Sequence, residues 1–245
     1  DIERSYLNAR ALVIYYATTM NETYLGPGRE KMQEARQAVQ EAESLVQKYP
    51  ELEALKKRVA SIKANIASYA GIVDELARQG QNIARAQENM DEAAARYMET
   101  CAAFLTDQNT EMREEILQGA RSNALMESLQ EITLANDVID LGNDARVGNF
   151  KAQATRDPEL MKAKYENFEL INQKLDELKA LITNEENRQQ IEAIRTAGQD
   201  YKAAMQDYLA SWTAINETIS KGADIGNELF AQLHETAGAG MSQTM

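Results

Sequence analysis

The stretch ELEALKKRVASIKANIASYAGIVDELARQGQNIARAQENMDEAAARYMETCAAFL, residues 51–105, decides the fold. Every seventh residue from Leu55 is apolar or aromatic: Leu55, Ile62, Tyr69, Leu76, Ile83, Met90, Tyr97 and Phe104. The companion line four residues on reads Val59, Ile66, Val73, Gly80, Gln87, Ala94 and Cys101. Two such lines at heptad spacing mark one face of a continuous helix packed as in a coiled coil or a long bundle. At about 1.5 Å per residue the stretch makes a rod of about 80 Å, so an elongated molecule is expected. From Gly80 onward the second line turns small or polar, which predicts room for a cavity in that half.

Composition supports an all-α class. Of 245 residues, 44% are hydrophobic and 27% charged, enough for a sizeable core, while only 3 are Pro and no alternating β-branched run stands out. The net charge of −13 argues against nucleic acid, which needs a basic stripe, and leaves an anionic ligand to be held by a few local Arg or Lys side chains. Cys101 is the sole cysteine and His234 the sole histidine, with Ala231 three residues before it, so disulfide, haem-attachment and Glu-x-x-His di-iron patterns are missing. No metal, cofactor or catalytic constellation is expected. No apolar run of about 18 residues exists to span a membrane. The chain enters helical pattern at Asp1 without an initiator Met and reads as a segment of a longer polypeptide.

Outward from the long helix, residues 1 to about 24 carry Ile2, Ala9 and Tyr16 on one line and Tyr6, Val13 and Met20 on the other. Gly26-Pro27-Gly28 is expected to break the chain before a second helix of about residues 29–48, which Tyr49-Pro50 ends. Residues 106–110 (Thr106-Asp107-Gln108-Asn109-Thr110) read as the chain reversal, being rich in turn and capping residues. A helix of about 111–154 follows, interrupted at Gly119 and Ser122-Asn123, its line being Leu125, Ile132, Ile139, Arg146 and Gln153. Thr155-Arg156-Asp157-Pro158 breaks it, and a helix of about 159–181 leads to the polar turn of residues 183–187. The last helix, about 185–235, has Ile194, Tyr201, Tyr208, Ile215, Gly222 and Leu229 beside Gly198, Met205, Trp212, Ile219, Gly226 and Leu233; past Ala237 the composition suggests fraying or a junction.

An internal repeat relates the halves. Ile62-Lys63 with Tyr69 matches Ile194-Arg195 with Tyr201, and Ala9-Arg10 is echoed by Ala145-Arg146 at a slightly different offset. Each half is a broken arm, a turn and a long returning helix. The expected result is an elongated six-helix rod of two stacked four-helix bundles, with two long helices spanning both. One module would comprise about 1–25, 78–154 and 209–240, the other about 29–77 and 158–208.

This pattern of helix lengths, breaks and paired Ala-Arg elements resembles the helical bimodular sensor domain of bacterial chemoreceptors, also found in some sensor histidine kinases. The resemblance implies a periplasmic domain of an inner-membrane protein, held by flanking transmembrane helices and working as a homodimer. It also implies a small carboxylate ligand bound by Arg side chains projecting into the bundle, with the terminal module membrane-proximal. One departure is that no Arg lies in the last turns of the final helix, where some members of that family use one, and Lys221 is the only cation there, which argues against a tricarboxylate or strongly dianionic ligand.

Arg146 carries the strongest local case, lying on an apolar line with Gly142 leaving space one turn before; its alternatives are an ion pair with Asp140, Asp144 or a facing Glu, or a seam-edge position reaching solvent. Arg10 lies beside its seam and is drawn in by the repeat, a solvated helix charge being equally compatible. Across a pseudo-twofold the two cations would face each other around an anion. Tyr16, Trp212, Tyr208, Tyr15 and Phe150 would wall that pocket and Gln87, Asn149 and Asn216 supply hydrogen bonds, though aromatics at helical spacing are also plain core. Lys63, Tyr69, Arg195 and Tyr201 form a second possible site that symmetry alone explains. Cys101 reads as core and His234 as surface. The reading is a receptor ligand-binding domain for a small organic acid and not an enzyme; the alternatives are a histidine-kinase sensor or a structural or adaptor coiled-coil protein without a small-molecule ligand.

Overall fold

A computed structural model describes residues 1–49 and 51–243; Pro50, expected at the junction of the second and third helices, lies outside them. The described residues are all-helical, with no strand. In order they form α1 (Ile2–Thr19), a 3-10 turn (Glu22–Tyr24), α2 (Leu25–Lys48), α3 (Glu53–Leu117), α4 (Ser122–Thr155), the short α5 (Pro158–Lys162), α6 (Tyr165–Leu181) and α7 (Glu185–Gln243).

The long seam holds. Val59, Ile62, Ile66, Tyr69, Val73 and Leu76 are buried in the first part of α3, and Met90, Ala94, Tyr97, Cys101 and Phe104 in its second. The expected reversal at residues 106–110 is helix instead. Thr106, Asn109 and Thr110 each turn a side chain back to the carbonyl four residues earlier, at 2.8, 2.7 and 2.9 Å, so these turn-forming residues are satisfied inside the helix. Gln108, seven residues beyond Cys101, continues the seam at 2% exposure. The chain reverses at Gly119, whose φ of +72° is a conformation glycine adopts without penalty.

The break expected at Gly26-Pro27-Gly28 also moves. α1 stops at Met20, which takes a left-handed φ of 52° and donates its N–H to the Tyr16 carbonyl at 2.7 Å. Asn21 Oδ1 then accepts from the Thr23 N–H at 3.0 Å. Leu25, Gly26 and Pro27 become the first turn of α2, where a missing donor costs nothing. Gly28 is buried against α1, where a Cβ would sit 3.4 Å from Val13 Cγ2. The break at residues 155–158 occurs as expected, with Arg156 left-handed (φ 55°) and Asp157 capping α5 through Oδ1 and the Glu159 N–H at 3.0 Å. The polar turn after α6 holds too, Asn184 Oδ1 accepting from the Glu186 N–H at 2.9 Å.

Two compact units result, residues 1–82 with 212–245 and residues 83–211. This grouping differs from the expected one, since residues 29–77 fall with residues 1–25 and residues 83–154 with 158–208. The physical reason is local pairing: α2 folds back on α1 across a five-residue connection, and α6 folds back on α4. The first unit has one core of Tyr6, Val13, Met32, Val39, Ile62, Tyr69, Leu229 and their neighbours. The second buries Met90, Tyr97, Phe104, Phe168, Leu175, Ile194, Tyr201 and Met205. Each fully buried aromatic or branched aliphatic side chain contributes about 1.5–3 kcal/mol.

Candidate functional site

Tyr6 and Arg10, one turn apart on α1, both reach the backbone of α7 in the first unit. The Tyr6 hydroxyl donates to the Gly226 carbonyl at 2.8 Å; Arg10 donates to the same carbonyl at 3.4 Å and to Asn227 Oδ1 at 2.5 Å. Gly226 permits the approach, since a Cβ there would lie 2.9 Å from the Tyr6 hydroxyl and 3.4 Å from Arg10 Nε. Tyr69 of α3 meets Tyr6 edge to face, ring centroids 5.4 Å apart. Burial pushes the Tyr6 hydroxyl up to about 12 and raises that of Tyr69 as well; in both the Arg10 charge acts in the opposite direction.

Beside this cluster lies a cavity of about 70 Å³. Val13, Ile14, Ile72, Leu76 and Ile219 line it, and Arg10 is its only charged lining residue among the described residues. Gly222 keeps it open, because a Cβ there would lie 2.8 Å from Ile72 Cγ2. Arg10 is half-buried, and its two hydrogen bonds go to a carbonyl and an amide rather than to a carboxylate.

Arg146 is exposed, contrary to the inward placement expected from its apolar line. The buried seam of α4 runs one residue earlier, through Ser128, Ala135, Gly142 and Asn149 and through Val138, Ala145 and Ala152. Its small residues let neighbouring helices approach closely, leaving Leu125, Ile132 and Ile139 at the margin. Gly142 holds no empty space: the Tyr97 ring fills it, and the Tyr97 hydroxyl donates to the Val138 carbonyl at 2.8 Å. Gly80 is likewise occupied, by the Tyr16 hydroxyl, so both glycines are sockets for tyrosine side chains rather than a ligand space.

The other expected site residues divide between the units. Tyr16 and Trp212 belong to the first with Arg10; Gln87 and Asn149 belong to the second with Arg146. Tyr16 is buried and Trp212 half-buried, but Gln87 and Asn216 are exposed and supply nothing to an interior. Asn149 is buried, its amide donating to Met90 Sδ at 3.2 Å and its oxygen accepting from Gln153 at 3.0 Å. Tyr15 and Phe150 are exposed, Tyr15 stacking on Tyr24 at 5.5 Å.

In the second candidate set the cations are already engaged. Lys63 pairs with Glu43 at 2.9 Å, and Arg195 with Asp176 at 2.7 Å and Glu192 at 3.3 Å. Tyr201 meets Phe168 edge to face at 5.5 Å, as Tyr69 meets Tyr6. Burial raises Tyr201 to about 12, partly offset by Asn149 and the Arg146 charge. The repeat therefore extends to ion pairs and ring pairs, a structural role in each unit. Cys101 is buried, its thiol pushed up to about 12 by that burial, and the exposed His234 stacks on Phe230.

One feature escaped the sequence reading. Glu111 and Glu115 of α3 and Glu127 and Glu131 of α4 line a polar recess of about 220 Å³ with Asn184 and Asn187. Burial raises the Glu131 carboxyl, and Glu111, Glu115 and Glu127 raise it further. The signal was present in two Glu pairs at i,i+4 spaced evenly about residue 121, and it becomes visible only when the reversal is placed at Gly119.

No known protein family matches the chain, and no curated protein matches it significantly. Among the described residues no helix is long and apolar enough to cross a membrane, and no group of three or more His, Cys, Asp or Glu residues is arranged to hold a metal.

Proposed function

We propose that the chain is the ligand-binding sensor domain of a transmembrane receptor, of the helical bimodular kind used by chemoreceptors, and that it recognises a small organic acid. On this reading each unit is a helical bundle, and α3 and α7 each contribute residues to both. The domain is periplasmic, pairs with a second copy and passes binding on as helix displacement. The observation that carries it is Arg10: a half-buried guanidinium lining an apolar cavity, with the neutral groups of Gly226 and Asn227 as its hydrogen-bond acceptors among the described residues. A half-buried cation with free donors can take a carboxylate, which a guanidinium binds through two parallel N–H donors. Exposed Leu7 and Tyr15 of α1 support the pairing of two copies.

A thermal-shift screen against mono-, di- and tricarboxylates, amino acids and amines tests the proposal. An acid at 100 times its dissociation constant adds about 2.7 kcal/mol to the folded state. Stabilisation by amines alone, or by nothing in the panel, would remove the organic-acid reading.

A further inference from the structure

We infer that the Arg10 cavity takes a short-chain monocarboxylate, its carboxylate on the guanidinium and its aliphatic tail in the slot between Ile14, Ile72, Leu76 and Ile219. The inference rests on the organic-acid reading above and narrows it to one class.

Charge comes first. Arg10 is the only charged group lining the cavity, so one carboxylate brings it to balance. A second carboxylate among Ile72, Leu76 and Ile219, on the inner wall of the slot, would be desolvated without a partner, a burial that proteins avoid. Lys221, next to the Gly222 that lines the slot, is exposed, and its charge bears on Glu75 instead. An ammonium would meet the like charge of Arg10.

Donor geometry is consistent with this. A guanidinium carries five N–H donors, and Arg10 makes two hydrogen bonds, one of them long at 3.4 Å. A carboxylate can engage donors left over without displacing Tyr6 from Gly226. Size then limits the tail: the cavity of about 70 Å³ equals roughly two water volumes in the liquid, room for a few carbons and no ring.

Calorimetric titration of the full chain with butanoate, succinate and butylammonium tests the class, using the wild type, Arg10→Gln and Ala223→Leu. Ala223 lines the cavity but is exposed, so the added side chain enters the tail slot without disturbing the core. Butanoate should bind more tightly than succinate, and butylammonium should not bind. Arg10→Gln should weaken butanoate at least about tenfold, the scale of one charge-assisted contact. Ala223→Leu should weaken it with the melting temperature unchanged. Succinate binding more tightly than butanoate, with the same Arg10 dependence, would overturn the monocarboxylate inference and leave the organic-acid reading intact. Butanoate binding indifferent to both substitutions would overturn the site. No binding of butanoate would also overturn the inference, and the wider acid panel then decides the organic-acid reading separately.

Discussion

The two units are assembled alike yet treat the same seam position in opposite ways. At the offset that relates Arg10 to Arg146, Tyr6 of α1 corresponds to Gly142 of α4, while Ala9 and Ala145 are both fully buried. In the first unit the ring comes from α1 and seeks a glycine on α7; in the second the ring comes from α3 and seeks the glycine on α4. Tyr6 holds α1 against the Gly226 carbonyl, and Arg10 one turn later is drawn onto the same carbonyl and half-buried. Arg146 has no ring before it on its helix face and stays at the surface. A repeated Ala-Arg element thus acquires a different environment in each unit because ring and socket have exchanged helices.

Alkali should give the largest effect, and it should touch both units. The raised groups include Cys101 (9.0 to about 12), Tyr6 and Tyr201 (both 10.0 to about 12), with Tyr69 and Tyr97 raised as well. A folded-state pKa above the unfolded one contributes stability that is complete below the unfolded value and is lost as pH rises through the folded value. Melting temperature should therefore decline from about pH 9, steepen above about pH 10 and collapse near pH 12, and Cys101→Ala should delay the onset. A flat profile to pH 12 would contradict the burial of these groups.

Next in size, Tyr97→Ala should cost about 3–5 kcal/mol by denaturant unfolding, since it empties the space between Gly142 and Gly198. Gly142→Ala should cost about 1–2 kcal/mol, overpacking against the Tyr97 ring outweighing a helix-propensity gain near 1 kcal/mol. A stabilised Gly142→Ala would show that the ring does not occupy that socket.

The hydroxyls separate the units more finely. Tyr97→Phe loses a buried hydrogen bond to the Val138 carbonyl, a cost of about 1 kcal/mol. Tyr16→Phe removes a buried hydroxyl that has no partner and should be neutral or stabilising. Equal costs would erase the distinction. The smallest effect expected is Glu131→Gln, which relieves the carboxylate cluster and should stabilise the second unit by about 0.5 kcal/mol at neutral pH, less in high salt.

Much of the fold was legible, because a seven-residue repeat of large apolar letters in α3 and α7 has one physical meaning. The misplaced features share a cause: residues were given their commonest role instead of the role their neighbours assign. Thr106, Asn109 and Thr110 belong to turns unless their side chains bond back to their own helix, as they do here. Proline at Pro27 breaks a helix interior but opens a first turn. Gly80 and Gly142 suggested emptiness, yet a glycine on a seam is equally a socket, and only the facing helix reveals which. Arg146 was drawn inward by Leu125, Ile132 and Ile139, which are larger than the Ala and Gly residues that form the true seam. Arg10, weaker by pattern, owes its partial burial to Tyr6 on the same helix and to Gly226, which is distant in sequence and carries no local signal.

The central claim is that the cation of the first unit receives the acid and its repeat partner in the second does not. Side-by-side calorimetric titration of Arg10→Ala and Arg146→Ala with the acid that most stabilises the wild type tests it directly. Arg10→Ala should lose at least about tenfold in affinity while Arg146→Ala should bind as the wild type does. Loss confined to Arg146→Ala, or no loss in Arg10→Ala, would contradict it.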